Sequence, residues 1–150
     1  MPDTATKRHS LPNLYVGQSQ KELTHNEALA RIDALLHPVV EDRLTVPPTG
    51  LTDTSDGQCW LIGGSAEGQW SGRSGQIARW SGGSWRYMMP VAGMTIWLIS
   101  GNKRLIYITG AWIEASGINS PAGGTVIDVE ARAALNAILA HLRQVCSIPA

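Results

Sequence analysis

The chain predicts an α+β fold: an N-terminal helix, a small antiparallel β domain rich in Trp and Gly, and a C-terminal amphipathic helix. Three observations carry this. All six tryptophans fall between residues 57 and 114, set among short glycine turns. Apolar residues recur at helical spacing before residue 41 and again after residue 127. Between these regions, residues 41–50 and 116–127 have the Pro, Gly and Ser content of turns and linkers. With no Phe in its 150 residues, the chain must build its core from Trp, Ile, Leu and Met.

Residues 1–23 read as a polar, extended arm, because Leu11-Pro12 disfavours helix. A helix over 24–40 follows. Thr24-His25-Asn26-Glu27 matches a capping box, with Thr24 as N-cap and Glu27 reaching back to it. Leu29, Ile32, Leu35 and Leu36 form its apolar stripe, and Pro38 ends it. The β domain occupies 41–115, as a sandwich- or barrel-like meander. Its strands are expected at 58–62, 76–80, 84–88, 95–99, 104–108 and 111–114. Ser81-Gly82-Gly83 and Ser100-Gly101-Asn102-Lys103 are expected to close hairpins. A linker at 116–127 leads to a helix within 128–150. Asp128 is placed to cap it, and Glu130 suits its electropositive first turn. Leu135, Ile138, Leu139, Leu142 and Val145 make its stripe, on an alanine-rich background that favours helix. Such a narrow stripe either docks on its own β unit or pairs with copies of itself; the low charge favours self-association.

Composition limits the function. Net charge is zero, and charged residues make up 16% of the chain. That lacks the basic field that drives nucleic-acid binding or attracts the chain to an anionic membrane. Residues 1–10 are polar and no apolar run approaches bilayer length, so the chain is expected to be made in a cytosol and not inserted in a membrane. Cys59 and Cys146 are expected to pack as small hydrophobes, with a disulfide between them left open.

No motif announces catalysis. His25 has no second His or Cys at ligand spacing, and His9, His37 and His141 are scattered along the chain. Asp53, Asp56 and Gly57 lack the alternating acids of a calcium loop. The serines beside glycines form no nucleophile elbow, and no phosphate-binding glycine loop occurs. Asp56, Glu67 and Glu114 suggest no acid–base pair. The expectation is a non-enzyme with no cofactor and no metal. The tryptophans are expected mostly in the core. Trp70, between Gly68 and Gly72 in a long loop, is the best candidate for exposure; together with Trp112 it is the candidate contact for a ligand or partner.

Two segments resemble a known family. Leu11-Pro12-Asn13-Leu14, then Gly17-Gln18-Ser19-Gln20-Lys21-Glu22 and Thr24-His25-Asn26-Glu27-Ala28, are similar to the opening of the phage family called domain of unknown function 2793. Asp56-Gly57-Gln58-Cys59-Trp60 and Gly75-Gln76-Ile77-Ala78-Arg79-Trp80 resemble its β portion, and the helix opening at Val126-Ile127-Asp128-Val129 resembles the ending of many members. The resemblance implies a virion protein, of a kind associated with head spikes and tail fibres, with no established catalytic activity. The chain would then be a homo-oligomeric spike or fibre base or adaptor, made in a bacterial cytoplasm and acting in the virion during host attachment. Its expected partners are itself, as a trimer or pentamer, other capsid, tail or fibre proteins, and host surface polysaccharide. The alternative is a stand-alone carbohydrate-binding or carbohydrate-active protein using exposed Trp. Head or tail location, subunit number and glycan identity stay open.

Overall fold

The computed structural model describes residues 5–14, 21–115, 117–124 and 128–144. The fold is α+β: two helices, α1 (Lys21–Leu36) and α2 (Val129–Gln144), flank eight strands arranged in two four-stranded sheets. The strands are β1 (Val39–Val40), β2 (Arg43–Leu44), β3 (Cys59–Ile62), β4 (Ile77–Ser81), β5 (Ser84–Met88), β6 (Thr95–Leu98), β7 (Lys103–Ile108) and β8 (Ala111–Glu114). One sheet runs β1-β6-β7-β8 and the other β2-β3-β4-β5.

The hairpins follow from local chemistry. Gly82 and Gly83 both sit at positive φ, +55° and +79°, so a two-residue turn joins β4 to β5 with Ser81 opposite Ser84. Thr109 and Gly110, at +51° and +82°, make a second such turn between β7 and β8, which the sequence reading had not singled out. Between β6 and β7 the turn at 99–102 uses Asn102 at φ +46°.

Three expectations are corrected. Helix α1 begins at Lys21, so Thr24 lies within it and is not its N-cap. The helix also stops at Leu36: Val39 and Val40 form β1, and residues 43–44 of the expected turn segment form β2. Finally, the β domain is not purely antiparallel and is not a barrel. Strand β1 runs parallel to β6 and β2 parallel to β3, at one edge of each sheet. The chain leaving α1 first enters one sheet, then bends at Glu41-Asp42 into the other. Glu41 N–H donates to Cys59 O at 2.8 Å and Ser100 N–H donates to Glu41 O at 3.0 Å. Asp42 accepts from the Ser100 hydroxyl at 2.6 Å. This crossing strap stitches the sheets together.

Side chains alternate across each strand, and the two sheets share one core. Leu61, Ile77 and Met88 of the second sheet cluster with Ile96, Leu98, Leu105 and Trp112 of the first, joined by Val40 and by Ala34 of α1. On the other side of the second sheet lies a smaller cluster of Trp60, Ile62, Trp70 and Ala78, lined by Trp80, Trp85 and Tyr87. Trp85 is its hub, edge-on to Trp60, Trp70 and Trp80 with ring centroids 5.5, 5.0 and 4.9 Å away. Edge-to-face contacts of this kind add to the burial of large rings.

The arm is tied to α1 by polar side chains. Asp33, 1% exposed, accepts from the Thr6 hydroxyl at 2.7 Å and from the N–H groups of Arg8 and His9 at 2.9 and 2.6 Å. Arg8 donates to the carbonyls of Ala34, His37 and Val39, satisfying groups that the helix end leaves without partners. Asn26 pairs with both backbone groups of Leu14, at 2.9 and 3.1 Å. These three residues explain why a helix with Ile32 and Leu36 exposed still holds its place.

Candidate functional site

Neither tryptophan chosen from the sequence is available to a partner. Trp70 is wholly buried, because the turn Gly68–Trp70 folds its ring under the loop and onto Trp85. Trp112 is 8% exposed; it packs in the shared core against Tyr107 and donates its indole N–H to Gly75 O at 2.8 Å. Both are core residues, which corrects the expected exposure. A glycine-flanked loop can cover its own aromatic, and sequence composition does not distinguish that from display.

The candidate chemical groups have structural employment. His25 is exposed on α1. His9 and His37 are brought together by the arm, with ring centroids 5.5 Å apart. Asp56 accepts from Gly82 N–H at 3.1 Å and pairs with Lys7 at 3.8 Å. Glu114 pairs with Lys103. Among the described residues, no three of His, Cys, Asp and Glu come together in a way that could hold a metal ion. Cys59 is a free, buried thiol; burial pushes its pKa up, against the opposing pull of Arg8 and Arg79.

Helix α2 forms as the sequence predicts, over Val129–Gln144, and the Asp128 carboxylate caps it by accepting from Ala131 N–H at 2.8 Å. Its stripe is only partly covered. Leu135 and Ile138 are 51% and 55% exposed, while Leu139 is buried. Leu142 is half-buried, and Val145 lies outside the described residues, as does Cys146. Arg143 donates to Ile118 O and Arg132 to Gly123 O, both at 2.8 Å, so the preceding segment runs back along the helix. Among the described residues, neither core cluster takes a side chain from α2. A second apolar surface lies on the outer face of the first sheet, where Ile108 and Ile113 are each at least 40% exposed.

Between α1 and the β4–β5 hairpin runs a groove of about 420 Å³. Helix α1 contributes Asn26, Glu27 and Arg31, with Leu23 and Ala30; the sheet contributes Arg79, Ser81 and Arg86, with Met88. Arg79 and Arg86 stand directly opposite each other in the β4–β5 register, so both side chains leave the same face. Sequence reasoning passed over this pair. The signal was present, since a two-residue turn at 82–83 sets 81 against 84 and therefore 79 against 86.

The family comparison fits this architecture. The model of the family described as protein of unknown function (DUF2793) matches residues 25–113, from α1 through β8. The match spans more than half of the 150 residues, and the chain belongs to this family. No match is found among curated proteins.

Proposed function

We propose that the chain is a homo-oligomeric structural component of a phage-type particle, a spike or fibre base or adaptor involved in host attachment. One observation carries the oligomeric part: α2 presents Leu135 and Ile138 to solvent, with no side chain of its own in either core cluster. Exposed leucines and isoleucines at helical spacing are the pattern by which helices pack around a symmetry axis. The exposed isoleucines on the outer face of the first sheet extend the surface that neighbouring subunits would cover. A single 16-residue helix is marginal in water without such packing. The particle context comes from the resemblance of the opening segment to phage proteins, and the role needs no catalytic group. The burial of Trp70 and Trp112 favours this reading over a stand-alone carbohydrate-binding role resting on those two rings.

Light scattering on purified chain tests the proposal. The wild-type chain is expected at a multiple of 16.1 kDa, and Ile138→Asp at the monomer mass with the β-sheet circular dichroism signal retained. A monomeric wild-type chain, absent from particle fractions, would sink it.

A further inference from the structure

The geometry points to an oxyanion-binding pocket centred on Arg79, in the groove between α1 and the β4–β5 hairpin. Arg79 is 5% exposed, and its Nε is buried with no hydrogen-bond partner. Among the described residues no carboxylate pairs with its guanidinium. A guanidinium cannot discard its charge in a protein interior, and a buried charge without a partner costs several kcal/mol. Opposite it across the hairpin stands a second cation, Arg86, where a like charge adds repulsion. Arg86 donates to the Ser84 hydroxyl at 3.0 Å and, among the described residues, pairs with no acid.

Among the described residues Glu27 is the groove's one acid, and it is already engaged by Arg31 at 3.2 Å. Among the described residues three arginines face one carboxylate there, in a chain whose total charge is zero. Arg79 also lines a smaller neighbouring cavity of about 120 Å³, where Asp56 is taken by Lys7. A fold that buries one guanidinium and sets another across from it is destabilised locally unless an anion arrives. The fitting occupant is a small molecule carrying a carboxylate, sulfate or phosphate group, which planar guanidinium forks bind in bidentate fashion. Ser81, which also lines the groove, stands ready for a hydroxyl group on its polar body.

The test uses the full chain at constant ionic strength, following melting temperature and calorimetric binding with inorganic phosphate, sulfate or glucuronate against chloride. The expected result is saturable stabilisation over chloride by at least one of the three. Phosphate or sulfate alone would identify a free inorganic anion, and glucuronate an acidic sugar as the source of the group. Arg86→Gln, at an exposed position, is expected to weaken binding about tenfold, the scale of one charge-assisted contact. Arg79→Met should abolish saturable binding while the empty variant melts at or above wild type. Arg104→Gln, on the other sheet, should bind as wild type does. The inference is overturned if no oxyanion stabilises the wild type beyond chloride, if Arg86→Gln and Arg104→Gln bind equally, or if Arg79→Met melts well below wild type, since Arg79 would then be a structural cation.

Discussion

The two helices have the same length, 16 residues, yet opposite relations to the rest of the molecule. Helix α1 is weakly amphipathic, leaves Leu23, Ile32 and Leu36 exposed, and is nonetheless fixed by polar contacts, a buried one through Asp33 and exposed ones through Asn26. Helix α2 is the more amphipathic of the two and well capped, yet Leu135 and Ile138 of its stripe face solvent. An apolar stripe therefore says that a helix wants a partner, not that its own domain supplies one. Conversely, a helix can be anchored by a single carboxylate when three donors converge on it.

Asp33→Ala should break this contrast most severely. It leaves the buried Thr6 hydroxyl and two part-buried backbone N–H groups without their acceptor, so unfolding free energy should fall by roughly 3 kcal/mol in denaturant titration. The same site gives a pH test. Burial pushes the Asp33 carboxyl up, but the bonds from Thr6, Arg8 and His9, with the His9 charge nearby, outweigh it and hold the pKa below its ordinary 3.8. The folded value is the lower one, so the contribution of Asp33 is complete above that ordinary value and is lost as pH falls through the depressed one. Wild type should lose stability over this acid window, and Asp33→Asn should lose markedly less. Equal acid profiles would show that Asp33 does not carry the linkage.

Leu139→Ala comes next. Removing the one buried leucine of the α2 stripe should cost about 2 kcal/mol, seen as faster hydrogen exchange in α2 with the β4 and β7 amides unchanged. If the strands loosened equally, α2 would be part of the same cooperative unit, and the contrast with α1 would fail. Smallest is Asp128→Ala, which removes the cap bond to Ala131 and should cost α2 about 1 kcal/mol, again visible in exchange at its first turn.

Much of the fold was legible because its signals are local. The Gly82-Gly83 turn and the alternation of β4 and β5 place that hairpin to within a residue, and Asp128 marks the start of α2. Strands β1 and β2 were not legible: two residues carry no periodicity, and their partners, Trp97-Leu98 and Leu61-Ile62, lie far along the chain. The start of α1 was misplaced because Thr24 and Glu27 imitate a capping box, whereas Glu27 is bonded to Arg31 one turn on.

By itself, the sequence determined the α+β class, the hairpins and the amphipathic α2, because turn chemistry and side-chain periodicity act over a few residues. Only the tertiary structure decided that Trp70 is core, that His9 meets His37, that Asp33 clasps the arm and that Arg79 is buried with no counter-charge among the described residues. Each of those depends on which distant segment closes over the residue, and burial, unlike propensity, is a property of the assembled chain.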